Sequence, residues 1–374
     1  MAAGEFPDSA LPAHPPARRG RGLSLRWIGW AAVALIAAGF VWLHRGEWGA
    51  MRDAARQADA RLLILAALIQ SGWLVLFGAM FWGSERAVGV RLPFLRTLAV
   101  SWAANFLNMV IKSGGMSGLA LFLAAATRRG HAASRATLGY LLTIALGYVE
   151  FLVLLAAALV ILWLDGELRR YELAASVITF AFLAALIAGA VFVVFSEHRV
   201  RRTYGLLARV ANALAGLLRR DPWLDPAGGA RAAREAHAAA LLVRERPARA
   251  LLPALAGFAK EAAAVAVMYA VLRAFDARPS VPLALAAYAL TVLFSYVSIL
   301  PSGLGLVEVS LTALLIRTGV QPGPAALTTV VYRLYQFWLP FLVGAVATRF
   351  LGRGTRPSPP SPLPITGEAG TPQP

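Results

Sequence analysis

The stretch Pro301-Ser302-Gly303-Leu304-Gly305-Leu306-Val307-Glu308 separates an apolar run at 283–300 from a shorter one at 306–316. Gly303 and Gly305 allow positive φ and close backbone approach, so the stretch reads as the tip of a broken apolar hairpin. An earlier segment repeats the pattern. Lys112-Ser113-Gly114-Gly115-Met116-Ser117-Gly118 divides 97–111 from 119–126. Neither of those pieces can cross about 30 Å of hydrocarbon at ~1.5 Å per residue.

Around these two breaks the chain is strongly apolar. Its 374 residues are 59% hydrophobic and only 15% charged, with a mean hydropathy of +0.64. A soluble domain would carry roughly a quarter charged residues. Full-length apolar runs fall at 27–43, 61–83, 136–164, 172–195, 251–274 and 325–350. Lipid offers the backbone no hydrogen-bond partner, so these runs are expected to be helices. The fold class is therefore an all-α integral membrane protein with about six full transmembrane helices and two re-entrant broken hairpins. Residues 1–26 and 351–374 read as disordered tails. Residues 27–196 and 251–350 read as two membrane halves, and 197–250 as a basic amphipathic linker in which Leu206, Leu207, Val210, Leu214, Leu217 and Leu218 lie near helical spacing.

The net charge of +17 does not point to nucleic acid, because most Lys and Arg lie between the apolar runs, where positive charge sets orientation. With the hairpins re-entrant, both tails, 84–96, 127–135 and 197–250 fall on one side and, with Arg349 at the end of the last run, hold 24 of the 36 Lys and Arg. That places both termini in the cytoplasm. The same topology makes the first hairpin enter from inside and the second from outside, which is an inverted repeat. Paired Gly/Pro-interrupted segments at matching positions of two halves point to a transporter's binding site.

Ionisable residues within apolar runs cost roughly 2.5–3.5 kcal/mol each on insertion scales, so each needs a partner or a function. Glu150, Glu308, Arg333 and the pair Lys260-Glu261 are the cases here. Arg333 and Glu308 would neutralise one another and pin the second hairpin to the last helix, either as a plain ion pair or as part of a head-group site. Lys260-Glu261 is expected near an interface. Helix N-termini at Leu119 and Leu306 could bind an anion through free N–H groups, or the glycines could serve close helix packing. The candidate lipid-binding residues are Lys112, Ser113, Gly114, Gly115, Glu150, Pro301, Gly303, Gly305, Glu308, Tyr332 and Arg333. The five His have no partner at ligand spacing, no Asp-x-Asp or nucleotide loop is present, and there is no Cys, so no metal, cofactor or catalytic site is expected.

The 301–308 motif, followed by Tyr332-Arg333-Leu334-Tyr335-Gln336-Phe337-Trp338-Leu339-Pro340, resembles the C-terminal signature of the lysylphosphatidylglycerol synthase transmembrane region, or flippase-like, family. The likeness extends over about 27–350, and Lys112-Ser113-Gly114-Gly115 resembles the family's first glycine motif. Many members carry Pro-Gly-Arg-x-Gly-Glu there; this chain has Ser117-Gly118 in place of the Gly-Glu. The resemblance implies a bacterial inner-membrane protein that translocates a lipid or lipid-linked amphiphile, an anionic or aminoacylated phospholipid among the candidates. Family members that synthesise the lipid add a soluble domain after the membrane domain, so a non-enzyme is expected here. The alternative is a non-catalytic accessory subunit that binds an envelope-lipid enzyme through 197–250.

Overall fold

Glu85, inside the basic stretch 84–96 that follows the apolar run at 61–83, lies in the last turn of a helix that begins 25 residues earlier at Ala60. A computed structural model describes residues 48–110, 116–166, 168–194, 196–217, 246–275, 279–298 and 303–353, with scattered positions between 234 and 245. The first expected span at 27–43, the glycine motif Lys112, Ser113, Gly114 and Gly115, and Pro301 lie outside the described residues.

The described residues form helices α1 (Trp48–Gln57), α2 (Ala60–Ala87), α3 (Phe94–Val110), α4 (Leu119–Thr127), α5 (Ala133–Leu164), α6 (Arg170–Val194), α7 (Glu197–Leu217), α8 (Leu251–Ala274), α9 (Val281–Val297), α10 (Leu306–Arg317), α11 (Pro322–Arg333) and α12 (Leu339–Arg353). A π turn, Leu334–Trp338, joins the last two into one long element. Among the described residues, five helices are long and apolar enough to cross a membrane: 60–87, 133–164, 170–189, 247–274 and 322–351. Their outer faces carry large apolar side chains such as Ile64, Leu68, Val153, Val160 and Phe192, all more than half exposed. An apolar belt of this size suits lipid, not water. The chain is an all-α, multi-pass membrane protein.

Local chemistry sets the helix starts. Asp59 caps α2 by accepting the Arg61 N–H at 2.8 Å, and Ser280 caps α9 by accepting the Leu283 N–H at 3.1 Å. Prolines at the first or second position open α9 and α11, where their missing N–H costs no helical bond.

The two halves run in opposite directions. Gly83, near the end of α2, packs on Pro253, near the start of α8, while the Asp59 N–H at the other end of α2 donates to the Ala274 carbonyl at 2.9 Å. Both short helix pairs turn back. The Arg91 N–H donates to His131 Nε2 at 3.3 Å, so the first hairpin, α3–α4, ends at the level where it began. The second, α9–α10, ends at Arg317, whose Nη2 donates to Glu172 Oε1 at 2.9 Å at the start of α6. Glu172 follows the turn after α5, on the end of the bundle opposite Arg91. The hairpins thus enter from opposite ends. The first arm of the first hairpin packs on α12, and the first arm of the second packs on α5.

Candidate functional site

The tip of the second hairpin is built around two glycines in positive φ, Gly303 at 71° and Gly305 at 86°. At Gly303 a Cβ would also come within 2.6 Å of Val307 Cγ2 and 2.9 Å of Ser295 Cα, so conformation and space both require glycine. Gly305 caps α10: its N–H donates to Glu308 Oε2 at 2.7 Å. The other oxygen, Oε1, accepts from Arg333 Nε at 2.7 Å. Glu308 and Arg333 are both buried, 8% and 7% exposed. The carboxylate therefore satisfies the hairpin tip with one oxygen and the last membrane helix with the other. The π turn after Arg333 shifts the following side chains, and the Phe337 ring stands 4.8 Å from the guanidinium. Tyr332 is buried beside them.

The tip of the first hairpin is closed by an amide. Asn108 Oδ1 accepts from Ser117 Oγ at 2.6 Å and from the Gly118 N–H at 2.9 Å, and its Nδ2 donates to the Tyr140 hydroxyl at 3.1 Å. Each hairpin thus covers the N-terminus of its second helix with a side chain of its own, Asn108 in one and Glu308 in the other. The helix ends read above as anion sites already hold an internal acceptor.

Between the first arms of the two hairpins, α3 and α9, lies a cavity of about 720 Å³. Both hairpins contribute to it, with Asn105 and Asn108 from the first and Thr291, Ser295 and Tyr296 from the second. Trp73, Phe77, Tyr148 and Phe337 supply aromatic wall, and Glu261, Arg333 and Gln336 supply charge and hydrogen-bonding capacity. Ile178 and Phe182 of α6 border the cavity and are 67% and 61% exposed, so on this side a largely uncovered helix separates it from the apolar outer surface.

The Lys260-Glu261 pair is not at an interface. Both residues are buried in the middle of α8. Lys260 Nζ contacts Glu261 Oε1, and the Tyr288 hydroxyl donates to Glu261 Oε2. Glu150 is 1% exposed, and its Oε2 lies 3.8 Å from Lys260 Nζ. Glu150 stands behind the cavity wall, whereas Glu261 lines it.

The structure brings together Glu308, Arg333, Tyr332, Gly303 and Gly305, with Glu150 in a neighbouring cluster. Sequence reasoning missed Tyr288, Asn108 and Glu85. Glu85 is fully buried, and neither carboxyl oxygen has a hydrogen-bond partner. Continuing the 61–83 run by one helical turn would have drawn Glu85 into the bundle. Among the described residues no cluster of His, Asp and Glu could hold a metal ion.

A bundle of apolar helices, with two broken hairpins that both line a charged cavity, defines a membrane protein of lipid-related type. The family model for the lysylphosphatidylglycerol synthase TM region matches residues 29–344, and the chain belongs to that family. No curated protein matches the chain. The match corrects the expectation of a non-enzyme: the family is named for a synthase, so the chain is a member of an enzyme-related family and aligns with the transmembrane region of that synthase.

Proposed function

We propose that the protein moves a lipid or lipid-linked amphiphile, of the anionic or aminoacylated phospholipid class, between the leaflets of a bacterial inner membrane. The observation that carries this reading is the 720 Å³ cavity lined by the first arms of both hairpins. Its volume falls in the range of about 300–1,000 Å³ typical of small-ligand sites, which suits a head group. Arg333 offers a cation to a phosphate, Glu261 offers an anion to an amine, and the aromatic wall suits acyl carbons. The exposed α6 edge provides a route for the tails to remain in the bilayer while the head group crosses.

The end of the bundle bearing Arg86, Arg91, Arg128, Arg129 and Arg135 faces the cytoplasm by the positive-inside rule. Of the residues outside the described set, Lys112, Ser113, Gly114, Gly115 and Pro301 belong to the two tip motifs and remain assigned to the lipid site by sequence position.

The test is reconstitution of the purified chain in liposomes containing fluorescent phosphatidylglycerol, or its lysyl ester, with chemical quenching of the outer leaflet. The expected result is quenching beyond one leaflet, faster than in protein-free vesicles and slowed by Arg333→Gln. Protein-free rates with both lipids would refute the reading. A second reading, a membrane partner for an envelope-lipid enzyme, is favoured by the exposed Arg201, Arg202 and Arg209 on α7.

A further inference from the structure

Three ionisable groups meet at the cavity wall: the carboxylate of Glu261, which lines the cavity, and behind it the ammonium of Lys260 and the carboxylate of Glu150. Fully charged, they would leave one uncompensated negative charge in a site removed from water. A buried charge without a partner is held only at a cost of several kcal/mol, so the group neutralises instead.

The contacts identify which carboxyl does so. Glu261 receives Lys260 on one oxygen and the Tyr288 hydroxyl on the other. Glu150 has only the ammonium, at 3.8 Å, and neither of its oxygens has a hydrogen-bond partner. It is 1% exposed, and its carboxyl lies against the bare backbone of Gly257.

Among the described residues no other element supplies the missing charge. From α9 the facing groups are the phenols Tyr288 and Tyr296, from α5 itself Tyr148, and from α11 Tyr332 and Arg333. Arg333 is engaged by Glu308. The charged residues of α2, namely Arg61, Glu85 and Arg86, lie in its end turns. Those of α6, Arg170 and Glu172, lie in its first turn, and α4 has none.

We propose that Glu150, Lys260 and Glu261 form a binding site for one exchangeable proton, resting on Glu150 and communicating with the cavity through Lys260 and Glu261. Uptake forms one O–H bond on the Glu150 carboxylate. Release breaks that bond: Lys260 passes one proton to Glu261 as it takes one from Glu150, and Glu261 yields its proton to solvent in the cavity. Intramembrane carboxylates in such arrangements serve as proton relays. Because Glu261 shares the cavity with Arg333, proton occupancy sets the net charge met by a head group, which couples lipid movement to a proton gradient. This coupling rests on the proposed function; the proton site does not.

Infrared difference spectroscopy of the purified full chain in nanodiscs, titrated with pH, tests the site. The expected signal is a deuterium-sensitive carbonyl band of protonated carboxyl, of which the Glu150 component is lost in Glu150→Gln while any component from the buried Glu85 stays, and which increases in Lys260→Gln, where two carboxyls are left without their ammonium. A wild-type spectrum without the band, or a band unchanged in both variants, overturns the site. In liposomes carrying fluorescent phosphatidylglycerol, an imposed pH gradient is expected to change the wild-type translocation rate and to lose that effect in Glu150→Gln. Wild-type translocation indifferent to the gradient overturns the coupling. Absence of any wild-type translocation overturns the function reading and the coupling together, while the spectrum still decides the proton site.

Discussion

Gly257 of α8 lies directly beneath the carboxyl of Glu150 on α5: a Cβ on Gly257 would come 1.8 Å from Oε1 and 2.3 Å from Cδ. The two residues are 107 apart in sequence, and the absent side chain is what makes room for a buried acid. Gly257→Ala is expected to displace Glu150 and lower stability by about 1–3 kcal/mol, the usual range for overpacking. Glu150→Ala in the same chain should recover part of that loss. Thermal unfolding in detergent of the two single variants and the double variant measures this, and a double variant no better than the sum of the singles would refute the contact.

The Glu308–Arg333 pair invites a double-mutant cycle. Removing one partner leaves the other charge buried without compensation, at about 3–5 kcal/mol. Glu308→Ala carries an additional loss, because it also frees the Gly305 N–H at the hairpin tip. Each single variant should therefore be less stable than wild type, and the double variant milder than the sum by roughly 1–3 kcal/mol. Simple additivity would sink the pair.

Asn108 closes the first hairpin with three hydrogen bonds, to Ser117, Gly118 and Tyr140. Asn108→Ala leaves the Gly118 N–H and its neighbours without this partner, at a cost of about 1–3 kcal/mol for each buried group that stays unpaired. Tyr140→Phe removes the bond from Asn108 while leaving the amide in place, and should cost less, about 1 kcal/mol. Equal losses in unfolding experiments would show that the amide does not organise the tip.

These contacts mark the limit of what the sequence discloses. The spans are legible because lipid demands long uncharged runs. The hairpins are legible because the apolar pieces on either side of Lys112–Gly118 are too short to cross and because Gly303 and Gly305 break the later run. The Glu308–Arg333 contact could be anticipated since each lies in an apolar segment and needs an opposite charge. The meeting of Glu150 with Lys260 could not be, for it depends on α5 crossing α8, a long-range packing choice without a local signature. Glu85 was hidden by Arg86 and Arg91 nearby, which made a helix end look like a loop. Tyr288 resembled an ordinary aromatic core residue until Glu261 was placed against its hydroxyl.

The direction of the hairpins is open to direct measurement because the chain contains no cysteine, so single cysteines can be introduced into an otherwise unreactive background. Arg91 and Arg129 flank the first hairpin at one end of the bundle; Ser280 and Gln321 flank the second at the other, and all four are exposed. Replacement of Arg91, Arg129 and Gln321 should cost little, since surface changes usually stay within about 0.5 kcal/mol; Ser280→Cys also gives up the cap on α9, at about 0.5–2 kcal/mol. With a membrane-impermeant maleimide on sealed inverted and right-side-out vesicles, Arg91→Cys and Arg129→Cys are expected to label from the same side. Ser280→Cys and Gln321→Cys should label together from the opposite side. On the proposed orientation, which rests on positive-inside asymmetry, the first side is expected to be the cytoplasmic one. Opposite accessibility within either pair would mean that the segment crosses completely; the two hairpins would no longer enter from opposite ends, and the cavity lined by their first arms would lose its geometric basis.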